Sequence, residues 1–368
     1  MVIGVPKEIK TDEFRVAVTP IGAKELKKDG HTVLIEEGAG RGCGIKDADY
    51  LDADADIIDR DTLFRNSDLI VKVKEPLPSE FGLIREGQAI FTYLHLAPNR
   101  LLTELLLNKK VTGIGYETLQ KDGTLPLLAP MSEIAGRMAP IMAAYFLQKE
   151  HGGSGVLVTG ATGASSGKVL IIGAGVVGTN SARVCVGLEM DTVVIDKRAE
   201  QLQRLENIFK GRIKTLLFSE QNIRKQIKDA DIVIGAILVT GGKTPVLITK
   251  EMLKTMKKGS VIVDVSIDQG GCFETSRPTT HDNPTYEIDG IIHYTVSNMP
   301  GAYPCTSTAA LTSATLPYIK ILANTGIEKA IRENPEIKSG LNTYKGEIVL
   351  KPLAESMGMR YKDIEEIN

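Results

Sequence analysis

The sequence predicts an α/β protein made of two doubly wound parallel-sheet domains. Three observations lead there. Short β-branched runs alternate with helical stretches, as βαβ units and a helix-covered parallel sheet require. The 368 residues correspond to about two domains. The run 169–172 leads straight into Gly173-Ala174-Gly175-Val176-Val177-Gly178, a glycine pattern that closes a strand and opens a helix.

The elements follow in order. Val2–Val5 is the first strand. Thr19 as N-cap, Pro20 at the first helical position and Gly30 as terminator frame a helix over 21–28. Strands are expected at 32–35, 68–74 and 89–95, then a helix at 99–108 and a strand at 111–116. An amphipathic stretch over 132–150, capped by Ser132 and kinked at Pro140, is expected to join the domains. A second series has strands at 169–172, 192–195, 232–235, 260–265 and 291–296. The helical stretch 306–324, interrupted by Pro317, is expected to cross back to the first domain. The division expected is 1–130 with 303–368 as a substrate and catalytic domain, and 131–302 as a dinucleotide-binding domain, with a catalytic cleft between them.

Composition excludes several classes. Hydrophobic residues are 42% and charged residues 24%, as in soluble globular proteins. Aromatics are 5%, Trp is absent and the net charge is −2, so neither nucleic acid nor an anionic membrane is an expected partner. No apolar run approaches the ~18 residues that span a bilayer, and the N-terminus does not read as a signal peptide. Cys43, Cys185, Cys272 and Cys305 have no CxxC spacing, so reduced thiols, a cytoplasmic location and no metal site are expected.

The glycine motif carries the strongest chemical signal. Gly173 permits a tight turn, Gly175 lets a pyrophosphate approach the backbone, and Gly178 lets helix pack on strand. The helix over 176–188 would face the phosphates with its N-terminus. The next strand ends at Asp196, 23 residues after Gly173, where a carboxylate would bind ribose hydroxyls and favour NAD over NADP. Lys197 and Arg198 oppose that preference. These features make the second domain Rossmann-like. Gly167-Lys168 is no phosphate loop, because Thr162 and Val169 stand where the pattern needs Gly and Ser or Thr.

Ligands of open α/β sheets sit beyond the carboxyl ends of the strands. Arg15, Lys74 and His95 fall there in the first domain, and Asp268 and Asn298 in the second. Each also has a plain reading. Arg15 could form a surface ion pair with Glu13, Lys74 could snorkel from a sheet edge, His95 could be a core histidine, and Asp268 could stabilise the Gly270-Gly271 turn.

These segments resemble the alanine dehydrogenase/transhydrogenase family, in its alanine dehydrogenase branch. The resemblance rests on Gly4-Val5-Pro6-Lys7-Glu8 with Phe14-Arg15-Val16, Lys72-Val73-Lys74-Glu75-Pro76 and Leu94-His95-Leu96. It continues through Leu127-Leu128-Ala129-Pro130-Met131-Ser132-Glu133, Ile267-Asp268-Gln269-Gly270-Gly271, Ser276-Arg277-Pro278-Thr279-Thr280 and Ser297-Asn298-Met299-Pro300, so it covers nearly the whole chain. It implies NAD-dependent, reversible oxidative deamination of L-alanine to pyruvate and ammonium by a homohexamer. Carried over by position, Arg15 and Lys74 are substrate ligands, and His95 and Asp268 the acid/base pair. Ser132, Val176, Val177, Asp196, Arg277, Val296, Ser297, Asn298 and Met299 become NAD contacts. Ile237, Leu238, Val265, Ser266 and Ile267 line the site. The family often has a basic residue where Gln201 stands and a serine where Phe218 stands, with Ser219 as the neighbouring substitute.

Such chemistry needs a carboxylate clamp, for which a guanidinium fork is suited. It also needs a proton carrier, for which an imidazole titrating near pH ~6.5 is suited. The rival readings are the NAD-binding subunit of a transhydrogenase, a related amino-acid dehydrogenase, and a non-catalytic NAD-sensing regulator.

Overall fold

A computed structural model describes residues 1–237 and 244–367. The chain forms two compact units, Met1–Met131 with Gly301–Asn368, and Ser132–Pro300.

The first unit opens with six parallel strands: β1 (Val2–Val5), β2 (Thr32–Glu36), β3 (Asp56–Ile58), β4 (Leu69–Val71), β5 (Ala89–Thr92) and β6 (Thr112–Gly115). The second unit carries β7 (Lys168–Ile172), β8 (Asp191–Asp196), β9 (Lys214–Leu217), β10 (Ile232–Gly235), β11 (Val261–Asp264), β12 (Thr285–Ile288) and β13 (Ile291–Tyr294). The chain then returns to the first unit with β14 (Leu341–Tyr344) and β15 (Glu347–Ile348).

The first sheet runs β15-β14-β6-β5-β4-β1-β2-β3, with β14 antiparallel to β6. The second runs β12-β13-β11-β10-β7-β8-β9, with β12 antiparallel to β13. Counted within each unit, the parallel strands of both sheets follow the order 3-2-1-4-5-6, the doubly wound arrangement. The order reverses between β1 and β4 in one sheet and between β7 and β10 in the other.

Alternation of β-branched strands with amphipathic helices explains both sheets. Strands such as Ile232–Gly235 and Val261–Asp264 are buried throughout, as a sheet covered on both faces demands. In the first unit Ile70, Ile90, Phe64, Leu102 and Leu106 share one core cluster. Leu170, Ile172, Val233, Ile262 and Phe273 share another in the second.

Several elements differ from expectation. The strand expected at 68–74 is only Leu69–Val71, and that at 89–95 only Ala89–Thr92. In both, the backbone beyond the short strand donates to a carboxylate: Val73 N–H to Glu8 Oε1 at 2.6 Å, and His95 N–H to Glu117 Oε1 at 2.8 Å. The expected helix from Ser132 begins earlier, as Ala129–Phe146. Pro130 suits a first turn, so Ser132 is not the cap. Pro317 does not break Pro304–Thr325, where burial of Leu311, Thr315, Tyr318, Ile319 and Leu322 outweighs one missing backbone donor. Thr19 caps Pro20–Lys28 as expected, accepting from Gly22 N–H at 3.4 Å. Among the described residues no helix is long and apolar enough to cross a membrane, and no group of three or more metal-ligating side chains occurs.

Candidate active site

In the first unit, Arg15 lies in the segment after β1, Lys74 three residues past β4 and His95 three residues past β5. These strands are neighbours, in the order β5-β4-β1, so their carboxyl ends lie side by side. Tyr93 gathers the side chains. The Lys74 Nζ stands 6.0 Å from the centre of the Tyr93 ring. The His95 imidazole stacks on that ring, with centroids 6.0 Å apart and planes 20° apart. Burial pushes the Tyr93 phenol up, and the Arg15 charge offsets part of this. The hydroxyl donates to the Leu127 carbonyl at 2.6 Å, which fixes the ring.

Lys74 is buried, and β4 is an interior strand, so it does not snorkel from an edge. Its N–H donates to Glu8 Oε1 at 3.4 Å, and its carbonyl accepts from the Thr92 hydroxyl at 3.0 Å. His95 lies beyond the strand rather than in it, is half-buried, and has φ +46°. That left-handed conformation costs a non-glycine residue roughly 1–2 kcal/mol.

Arg15 and Glu13 do pair, but the pair is buried, with side chains 1% and 0% exposed. Arg15 Nε donates to Glu13 Oε1 at 2.6 Å, Nη2 pairs with Oε2, and Nη1 approaches Met131 Sδ at 2.9 Å. The surface-pair reading fails because a guanidinium this deep needs a counter-charge. Burial alone would lower the Arg15 pKa, but the Glu13 contacts outweigh it and raise it. Glu13 therefore takes the Nε–Nη2 fork that the sequence reading reserved for substrate.

In the second unit, Gly173 has φ +110° and donates its N–H to Ile195 O at 2.7 Å. A Cβ on Gly178 would stand 1.8 Å from the Gly173 carbonyl oxygen, so only glycine lets this helix approach the strand. A Cβ on Gly175 would meet nothing within 4 Å. Gly175 caps Val176–Gly187 without a side-chain hydrogen bond, leaving the Val176 and Val177 end of the helix without a competing side-chain cap. A pyrophosphate fits such an end.

Asp196 ends β8 and accepts from Ala174 N–H at 2.7 Å and Arg198 N–H at 2.8 Å. Burial pushes its carboxyl up, but Arg198 and Ala174 outweigh burial and hold it below the usual range. Asp196 is thus a carboxylate at neutral pH.

The remaining residues lie at the ends of β10, β11 and β13. Ser266 hydroxyl donates to Ile237 O at 2.7 Å and accepts from Ile237 N–H at 3.1 Å. Leu238 lies outside the described residues. Asp268 is exposed in the turn Ile267–Gln269, and its Oδ2 accepts from Asn298 N–H at 3.4 Å. Ile267, Val296 and Met299 are buried, while Val265 and Ser297 are half-buried. Asn298 has φ +58°.

Three further residues lie on other segments, Arg277 with its carbonyl accepting from the Thr295 hydroxyl just past β13 at 2.7 Å. Arg277 is exposed and lies 4.3 Å over the Tyr286 ring. Ser219 caps Glu220–Ile227 by accepting from Asn222 N–H at 3.1 Å. Ser132 is half-buried in the first turn of Ala129–Phe146.

Sequence reasoning gave no role to Glu8, Tyr93, Glu117 and Asp264, and read Glu13 only as a surface partner of Arg15. Asp264, not Asp268, holds the Gly270-Gly271 turn. It accepts from Ser266 N–H at 3.1 Å, Cys272 N–H at 2.9 Å and the Ser276 hydroxyl at 2.5 Å. The signal was a carboxylate inside the apolar run Val261-Ile262-Val263-Asp264-Val265. His95 and Asp268 belong to different units.

The model of the alanine dehydrogenase/PNT N-terminal domain matches residues 4–135, and that of the C-terminal domain matches residues 139–351. An alanine dehydrogenase from Staphylococcus saprophyticus is 50% identical over 367 residues, 99% of each chain. Alanine dehydrogenase 2 of Staphylococcus aureus is 49% identical over 368 residues, covering 100% of this chain and 99% of its own. A solved L-alanine dehydrogenase superposes with TM-score 0.94 at 45% identity, covering 97% of this chain and 99% of that one. A transhydrogenase from Sinorhizobium meliloti, 23% identical with TM-score 0.81 over 95% of this chain and 99% of that one, shares the fold. Two domain models matching in order, and relatives of about half identity from end to end, establish that the chain belongs to the alanine dehydrogenase/PNT family.

Proposed function

We propose that the protein is an NAD-dependent L-alanine dehydrogenase, interconverting L-alanine with pyruvate and ammonium. The carrying observation is the gathering of Lys74 and His95 around the Tyr93 ring, in a chain half identical to alanine dehydrogenases from end to end. When bound, NAD supplies the acceptor for the hydride of the substrate Cα. The residues that would hold it are Gly173, Gly175 and Gly178 with the Val176 and Val177 N–H groups, and Asp196 for the ribose. Val265–Ile267 and Val296–Met299 would line the nicotinamide side.

In the first unit the cations Arg15 and Lys74 take the substrate. Arg15, whose Nε–Nη2 edge is held by Glu13, is the carboxylate ligand by its matching position in the family. Lys74 offers its ammonium to the carbonyl oxygen. His95 takes the proton as amine passes to iminium and carbinolamine, and returns it in the reverse direction. Asp268 orients the water or ammonia that adds to that centre.

The test is reduced-cofactor production over a panel of L-amino acids, with NAD and with NADP. L-Alanine with NAD should give by far the highest kcat/KM, and Asp196→Ala should narrow the cofactor preference. Preference for another amino acid would remove the substrate reading, and equal use of both cofactors would show Lys197 and Arg198 overriding Asp196. We propose with this activity a cytoplasmic homohexamer, whose mass of six chains light scattering on the same preparation reads. A single-chain mass would remove it.

Lys74→Met should abolish most alanine turnover while leaving NADH affinity within a few-fold by fluorescence titration. Collapse of NADH affinity would assign Lys74 to the cofactor site or to the fold instead.

A further inference from the structure

Glu117 lies two residues beyond β6, and β6 runs parallel to β5 with Gly115 opposite Thr92. The segments leaving the two strands therefore start side by side. Glu117 Oε1 accepts from Leu94 N–H at 3.1 Å and from His95 N–H at 2.8 Å, and Oε2 accepts from Leu94 N–H at 3.2 Å. Two successive N–H groups converging on one acceptor form a small anion-binding concavity, and a carboxylate of the same chain fills it.

The concavity exists only because His95 has left the strand conformation. Its φ of +46° belongs to a region that L-residues rarely adopt. β5 ends at Thr92; Tyr93 N–H still donates to the Val73 carbonyl at 3.3 Å, and the next two N–H groups turn to Glu117 instead. The turn that carries Glu117 is itself braced. The single Thr118 O–H is shared between the carbonyls of Gly115 and Gly340, each at 3.2 Å, and Asn342 Nδ2 donates to Thr118 Oγ1 at 2.8 Å. Burial pushes the Glu117 carboxyl up, against the opposing pull of the two N–H groups and Lys74.

We infer that Glu117 is a positioning residue, whose carboxylate holds the 94–95 backbone in the left-handed turn that presents the His95 imidazole to the substrate. The inference rests on the reading of His95 as proton carrier. Without the carboxylate, two N–H groups lose their acceptor and the turn is free to relax toward extended backbone, which moves the imidazole away from Tyr93. A side chain that supports only the fold would act regardless of what stands at 95. One that acts through His95 would lose its effect once the imidazole is gone.

A double-mutant cycle on the full-length protein separates the two. The variants are Glu117→Ala, His95→Ala and the double variant, with kcat for alanine oxidation and NADH affinity measured for each. Glu117→Ala should lower kcat by about 10²-fold, the cost of a misplacement near 1 Å, with NADH affinity within a few-fold. In the His95→Ala background the same change should alter kcat by less than about 3-fold, because groups acting as a unit are not additive. Glu117→Gln keeps one acceptor oxygen and should lose less than Glu117→Ala. If far-ultraviolet circular dichroism shows Glu117→Ala unfolded, the cycle is read with Glu117→Gln by the same comparison. An equal loss in both backgrounds, or no loss in either, overturns the inference. Normal turnover by His95→Ala alone would overturn the His95 reading first, and the inference with it.

Discussion

The His95→Ala variant is expected to lose kcat by roughly 10²–10⁴-fold in both directions, the usual worth of a positioned acid/base. Both must fall, because microscopic reversibility has one group serve forward and reverse proton transfer. Alanine oxidation in the unmodified protein should accelerate as pH rises through the ionisation of this group, since only the neutral imidazole accepts a proton. Pyruvate amination wants the same group protonated but consumes free ammonia, which alkaline pH supplies. The two directions should therefore diverge once ammonia, rather than total ammonium, is the concentration variable. Paired pH–rate profiles on both proteins check this. Near-normal turnover with an unchanged profile would move the ionisation elsewhere, with Asp268 the next candidate. The stacking of His95 on Tyr93 would then be packing alone.

Lys72→Met is expected to lower the stability of the first unit by about 3–5 kcal/mol, the cost of breaking a buried ion pair. Lys72 Nζ lies 2.8 Å from Glu80 Oε1 and 3.5 Å from Glu8 Oε2, and all three side chains are essentially inaccessible. Burial alone would lower the Lys72 pKa, but Glu8 and Glu80 outweigh it and raise it. Methionine fills the space but leaves two carboxylates without a cation. For a unit of this size the loss corresponds to a melting temperature lower by about 6–20 °C. Glu8 also accepts from the N–H groups of Val73 and Lys74, so alanine turnover should fall with stability. Lys110→Met is the control. It removes an exposed pair with Glu86, at 2.7 Å, and should leave the midpoint unchanged. Equal midpoints for Lys72→Met and the unmodified protein would show that the buried pair contributes nothing to stability.

Legibility followed periodicity and motif. Strands with a β-branched run and a turn signal at each end, such as Ile232–Gly235, were found at their observed bounds. Edge strands were missed where the run was short or polar. Asp56–Ile58 is three residues and Thr285–Ile288 carries Thr, Tyr and Glu, so their strand character comes from pairing with β2 and β13. Pro317 misled for the same reason in reverse, since Pro304–Thr325 runs through it. A proline lowers local helix preference, yet burial along the helix outweighs one lost hydrogen bond.

The amino-acid sequence by itself determined the α/β class, the dinucleotide fingerprint with Asp196 at its far end, and the set of polar residues at strand ends. Those follow from spacing along the chain, which local chemistry reads directly. Only the tertiary structure decided what each of those residues meets. The Arg15–Glu13 pair that the sequence offered at the surface is buried, Lys74 and His95 share the Tyr93 ring, and the His95 backbone rests on Glu117. These partners come from different strands of one sheet or from loops with no periodic signal of their own. A buried charge takes its counter-charge, and a buried N–H its acceptor, from whatever the strand order brings alongside. That order is a property of the folded sheet, and no stretch of sequence states it.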